Sequence, residues 1–357
     1  MKKILNTLLA LSVVAGISSQ VTAQTRDQIR IVGSSTVFPF ATAVAEEFGR
    51  SGSFKTPIVE STGSGGGLKL FCSGVGLSHP DITNASRRIK STEVALCAKN
   101  GVTDVTEVKI GFDGIVLANA KGAHQFKLSL KDIYLALAKE VPAPGTQGGT
   151  SNLIANPYIT WDQINAELPN VKIKVMGPPP TSGTRDAFNE LAIEAGCKAF
   201  AGNAALKKSD KALYKQKCRS IREDGAYVEE GENDNLIVQK LQADTDVLGV
   251  FGFSFLDQNS DSVQGSLIAK KGTDFKEPTF ENISSGAYPV SRSLFFYVKK
   301  KHVGVVPGIA EYLAAFTNED AWGDEGYLTD RGLIPLPESE RRVIAKNTKM
   351  LVNLSLK

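Results

Sequence analysis

Histidine is almost missing: the chain of 357 residues has three, His79, His124 and His302. They are scattered, and no two of the four cysteines have C-x-x-C spacing, so a Cys/His metal site has no support. The same shortage argues against hydrolytic catalysis, because a serine nucleophile needs a base or a metal beside it. No apolar run beyond the first residues is long enough to read as a membrane span. An excess of one charge is lacking too: 41 Lys and Arg against 38 Asp and Glu leave a formal +3. So even a balance gives no electrostatic case for nucleic acid or a membrane surface. There is no internal repeat and no low-complexity tract. No cofactor and no catalytic residue is expected.

What is present begins with an export signal. Lys2 and Lys3 precede a mostly apolar stretch from Ile4 to Ile17, and Val21-Thr22-Ala23 offers small residues for cleavage after Ala23. Residues 1–23 therefore read as a signal peptide, and the mature protein is expected outside the cytoplasm, as a monomer. Losing Lys2 and Lys3 takes the formal charge from +3 to +1. In an oxidising compartment Cys72, Cys97, Cys197 and Cys218 allow three pairings. Short closures favour Cys72–Cys97 and Cys197–Cys218, each closing a loop of about 20–25 residues and contributing roughly 3 kcal/mol.

Strands and helices alternate along the chain, which argues α/β with largely parallel sheets. Val105–Ile110 and Gly114–Ala118 read as two strands split by Gly111-Phe112-Asp113. Lys131–Lys139 reads as a helix, and Trp161–Leu168 as a short one stopped by Pro169. Val141–Asn156 reads as a loop. Lys198–Gly231 is charged and reads as an irregular surface insertion. A helix spans Asn233–Gln242, strands cover Val247–Phe253 and Ser293–Val298, and helices lie around Pro307–Asn318 and Pro337–Lys346.

Three segments share one design: β-formers, a Gly/Ser/Thr turn, then an amphipathic helix. The turns are Gly33-Ser34-Ser35-Thr36, Ser61-Thr62-Gly63-Ser64-Gly65-Gly66-Gly67, and Thr181-Ser182-Gly183-Thr184-Arg185. Each sets free N–H groups and hydroxyls at a helix start, where the partial positive charge attracts anions. A plain N-cap needs only one hydroxyl. The second turn is not a P-loop, because Leu68 stands where Gly must precede Lys69, and not a nucleophile elbow, because Thr62 stands where Gly is needed. It reads as a flexible backbone nest for a small anion. Arg185 adds a fork suited to an oxyanion, and Arg87 or Arg88 could supply a second. Asp113 and Asn233 are further candidates: Asp113 as an acceptor or as a partner of an Arg, Asn233 as a contact or a plain cap.

Gly33–Pro39 (GSSTVFP), Thr62–Lys69 (TGSGGGLK), Asp81–Ser86 (DITNAS) and Thr181–Phe188 (TSGTRDAF) together resemble the periplasmic phosphate-binding proteins of ABC transporters, in the PstS and SphX-like branch. The resemblance runs from about Ile29 to about Leu336. It implies a two-domain Venus-flytrap fold of type II, with helices on both sheet faces and the ligand cleft between domains. Residues 24–113 with 289–357 would form one domain and 114–288 the other. It implies capture of inorganic phosphate and delivery to an inner-membrane permease. By position, ligand contacts fall on Ser35, Thr36, Val37, Ser64, Arg87, Ser182, Gly183 and Thr184, with Ser34 and Arg185 beside them.

Two departures follow from the same alignment of motifs. Better-known members have Asp, the acceptor of the hydrogen phosphate proton, where this chain has Arg87, and Arg where it has Pro178. The acceptor is thereby unassigned, with Asp113 the first candidate. Sulfate, molybdate or another tetrahedral oxyanion is the alternative ligand; a secreted phosphatase is a remote one, and nothing argues for an adhesin-like role.

Overall fold

Residues 26–50, 52–146, 153–230 and 234–356 are described by the computed structural model. The signal peptide expected over 1–23 and Asn233 lie outside the described residues, as does part of the 141–156 loop. No helix among the described residues is long and apolar enough to cross a membrane.

The strands of the main sheet are numbered β1 to β9 in chain order. β1 (Arg30–Gly33) is followed by α1 (Phe38–Arg50), which buries Phe40, Ala41, Val44, Ala45 and Phe48 along one helical stripe. β2 (Ile58–Ser61) leads into α2 (Gly63–Phe71), and β3 (Ile82–Ala85) precedes α3 (Ser91–Lys99). β1 pairs in parallel with both β2 and β3, so the three strands end together at Gly33, Ser61 and Ala85.

β4 (Val105–Ala120) corrects the expected pair of strands: it is one strand of 16 residues. Gly111, at φ 155°, absorbs a bulge where the register against β9 shifts between Leu294 and Phe295. The Phe112 N–H and C=O are both satisfied by Ile334, at 2.8 and 3.2 Å. The turn residues therefore bend the strand without ending it.

α4 (Leu130–Leu137) starts at a Ser129 cap that accepts from the Asp132 N–H at 3.1 Å. The helix expected over Trp161–Leu168 is absent and turns take its place. Trp161 is wholly buried, and the Gln163 side chain accepts from the N–H groups of Ile159 and Thr160 at 2.7 and 3.2 Å. Those local bonds compete with a helical ladder.

β5 (Val175–Gly177) leads into α5 (Gly183–Phe188), which continues through a π-turn at Asn189–Ile193 and a last turn at Glu194–Cys197. Within the segment expected to be irregular, the described residues 198–230 form α6 (Ala201–Ser209), α7 (Lys211–Cys218) and β6 (Tyr227–Glu229). Asp210 breaks α6 from α7 and caps the latter, accepting from Ala212 and Leu213 N–H at 3.0 and 2.9 Å. Later elements that matter here are α8 (Asp234–Ala243), β7 (Leu248–Gly252), β8 (Val263–Gly265), β9 (Ser291–Lys299), α9 (Ile309–Phe316) and α10 (Glu338–Lys349); shorter helices and two small sheets, one of them pairing Glu140–Pro142 with Leu153–Ala155, fill the rest.

The sheet order is β2-β1-β3-β9-β4-β7-β5-β6, with β8 also on β4. The parallel sets β2-β1-β3 and β7-β5-β6 lie at its two ends. Between them run β4 and β9, antiparallel to each other along the whole of β9 and the first part of β4, whose later residues pair with β7 and β8. One core packs α1 and α9 on β1 and β9, around Phe40, Phe296 and Phe316; another packs α4 and the 183–197 helix, around Trp161, Tyr134 and Phe188. Two cores joined by crossing strands make the two-domain α/β architecture of a periplasmic binding protein. The disulfides are Cys72–Cys97 and Cys197–Cys218, the pairing that short closures favour.

Candidate functional site

The carboxyl ends of parallel strands open onto a crevice, the usual ligand position in open α/β sheets. Here it is a cavity of about 590 Å³, reached by the turn after β1, the start of α2, the residues after β3, the helix that begins at Gly183, and Arg292 of β9.

In the first turn, Ser35 Oγ donates to Asp186 Oδ2 at 3.0 Å, and Thr36 Oγ1 accepts from Arg292 Nη2. Ser34 Oγ accepts from the Val37 N–H at 3.4 Å. Val37 donates its N–H to Ser34, and its side chain is wholly buried in the core.

The glycine run is not a flexible nest. It is the opening of α2, and Gly67 explains why: a Cβ there would lie 2.4 Å from Gly33 Cα and 2.7 Å from Thr83 Oγ1. Gly67 lets α2 press against β1, which holds the helix start with Ser64 at the cavity. Ser64 Oγ accepts from the Ser86 N–H at 3.0 Å and lies 3.1 Å from Ser86 Oγ.

In the third turn, Ser182 Oγ accepts from the Thr184 N–H at 3.1 Å and caps α5. Gly183 packs against the first turn, where a Cβ would meet Ser35 O at 3.1 Å and Thr36 Cα at 3.3 Å. The two turns thus touch across the cleft. Ser182, Gly183 and Thr184 are half-buried at this contact and are not among the residues lining the cavity.

Arg185 is a correction. Its guanidinium donates to Pro178 O at 3.0 Å, lies 3.7 Å from Glu229 and stacks 4.2 Å over the Tyr227 ring. It ties β5 and β6 together and does not line the cavity. Arg87 does line it, held by two hydrogen bonds to Glu93 at 2.7 and 2.9 Å. Arg88 bonds Glu107 instead, at 2.8–3.0 Å.

The cation that sequence reasoning missed is Arg292. It stands directly opposite Asp113 in the β9–β4 register and donates to Asp113 Oδ2 through Nε at 3.2 Å. Nη1 reaches Glu190 at 3.3 Å and Nη2 reaches Thr36. This guanidinium thus touches both crossing strands, the first turn and the π-turn helix. Burial pushes the Asp113 carboxyl above its ordinary value, and Arg292 pulls against that. A signal was present: Ser291-Arg292-Ser293 is a lone charge heading the apolar run Leu294-Phe295-Phe296. Asp186 and Glu190 on the cavity wall were not singled out either.

A family model described as the PBP superfamily domain matches residues 18–320. The chain belongs to the PBP superfamily. It is 30% identical over 326 residues to Protein SphX of a Synechocystis species, covering 90% of this chain and 82% of that one. It is 26% identical over 313 residues to the phosphate-binding protein PstS of Staphylococcus saprophyticus, covering 86% and 80%. Among solved structures, one titled a possible phosphate binding protein from Planctomyces limnophilus superposes with a TM-score of 0.69 at 25% identity, covering 92% of this chain and all of that one. The resemblance carried by the four motifs is thus matched by relatives over most of the chain.

Proposed function

We propose that this chain is an extracytoplasmic solute-binding protein that captures inorganic phosphate in its cleft and releases it to an ABC permease, without catalysis. The observation that carries the reading is the convergence on one cavity of Ser35, Thr36 and Ser64 at helix starts, Ser86 after β3 and Arg292 of β9. Hydroxyls, backbone N–H groups and one guanidinium are the donors a tetrahedral oxyanion needs. The PstS relative, named a phosphate-binding protein, and the similar solved structure titled a possible phosphate binding protein support the same ligand.

The lobes are 24–113 with 289–357, and 114–288, hinged where β4 and β9 cross. The Ser35–Asp186 bond and the Arg292 link to Glu190 draw the lobes together, while the Arg292–Thr36 bond ties the hinge strand to the first turn within one lobe. A ligand that binds better to the closed arrangement shifts the equilibrium toward it, and the closed surface is what the permease meets.

Hydrogen phosphate carries a proton and sulfate does not, so selectivity needs an acceptor. Asp113 holds Arg292 through its Nε–H but is not among the residues that line the cavity. Asp186 lines it beside the Ser35 hydroxyl, and we assign the acceptor role to Asp186. The test is Asp186→Asn, titrated calorimetrically with phosphate and sulfate. A loss of at least tenfold in phosphate affinity with gained sulfate binding supports the assignment. Unchanged selectivity refutes it.

A further inference from the structure

The cavity is larger than its inner end requires. A phosphate ion displaces roughly 60–90 Å³, counted as two or three water volumes. The cavity measures about 590 Å³. Its inner end is the Ser34–Thr36 turn with Ser64, Ser86 and Arg292; its far wall is α6 and α7, fastened to the 183–197 helix by Cys197–Cys218.

Charge is unevenly spread along this cavity. Seven cationic and four acidic side chains line it, a surplus of three positive charges where the chain without residues 1–23 carries +1. The inner cations are balanced: Arg292 by Asp113 and Glu190, and Arg87 by Glu93. On the far wall Lys207 and Arg219 both hold Glu194, at 2.6 and 2.5 Å. Lys211 and Lys215 line the same cavity, are exposed, and pair with no carboxylate among the described residues. They stand four residues apart on α7, so their like charges share a face and repel, a cost that an anion between them removes. Lys90, across the cleft at the start of α3, is a third exposed ammonium group on the cavity without an ion pair among the described residues.

We infer that Lys211 and Lys215, with Lys90 facing them, form a second anion position in the outer cleft. The ligand class it admits is a condensed phosphate, pyrophosphate being the simplest. One phosphoryl group takes the inner donors and the other takes the lysines. The inference rests on the reading of the inner end as a phosphate position. Lysine suits the outer place: its ammonium is a mobile point charge that needs no fixed geometry. The contribution is that of exposed charges, about tenfold in affinity for the two α7 lysines together, and it weakens as salt rises.

The experiment is calorimetric titration of the ligand-stripped chain with sodium pyrophosphate and, separately, with inorganic phosphate. The parent is compared with Lys211→Gln/Lys215→Gln, whose fold is checked by circular dichroism. Phosphorus NMR of the recovered ligand distinguishes bound pyrophosphate from phosphate released by hydrolysis. The expected result is one-to-one pyrophosphate binding that competes with phosphate. The double variant then loses about tenfold for pyrophosphate and stays within twofold for phosphate. Phosphate binding without pyrophosphate binding overturns the second position and leaves the phosphate reading intact. Equal losses for both ligands also overturn it, because the lysines would then act only as a general field. Binding of neither ligand overturns the phosphate reading itself.

Discussion

Replacing Arg292 by Ala tests the site and the hinge together. The guanidinium donates to Asp113, Glu190 and Thr36, and its side chain is 9% exposed. A hydrogen bond to a charged group contributes about 1.5–3 kcal/mol. Losing one or two such bonds to the ligand lowers phosphate affinity by roughly 2–4 kcal/mol, about 30-fold to 1000-fold. Stability falls too, because removing one partner of a buried ion pair costs about 3–5 kcal/mol. Part of that is recovered when Asp113 takes up a proton. Burial already holds its carboxyl above the ordinary value, and loss of Arg292 raises it further. A carboxyl raised in the folded state favours folding below its unfolded pKa of about 4. That advantage is lost as pH climbs through the folded value. The deficit of Arg292→Ala against the parent is therefore smallest in acid and largest at neutral pH. Calorimetry measures the affinity, and denaturant melts at pH 4 and pH 8 measure the deficit. Phosphate affinity within threefold of the parent, or a deficit independent of pH, would refute the reasoning.

Gly67→Ala puts a Cβ 2.4 Å from the backbone of β1, which cannot yield as a side chain would. It should cost roughly 2–3 kcal/mol, offset only in part by better helix propensity, and weaken phosphate binding by shifting Ser64; thermal melts with titration read both. Arg185→Ala should lower the melting temperature by several degrees, because Pro178 O and the Tyr227 ring lose their partner. Phosphate affinity should stay within threefold by the same titration, the opposite of what the S-G-T-R motif suggests.

The parts of the fold set by local chemistry were legible. Apolar spacing placed α1, and short loop closures selected both disulfides. The anion-turn motifs were visible as sequence, but their orientation was not. Arg185 follows Ser182-Gly183-Thr184 in the chain, yet a helix turns it toward Tyr227, an aromatic ring on another strand. Arg292 was invisible for the converse reason: its meaning comes from sitting opposite Asp113, 179 residues away. Gly111 looked like a strand break because its bulge is required only by the partner strand. Residues 198–231 looked irregular because the Asp210 cap that separates α6 from α7 was buried in a run of charges.

The most direct measurement is calorimetric titration of the mature, ligand-stripped protein with phosphate and with sulfate at pH 5 and pH 8. The account predicts phosphate binding at both values, where the ion keeps at least one proton for Asp186, and no sulfate heat at either. Sulfate binding comparable to phosphate, or no phosphate binding at all, would contradict it.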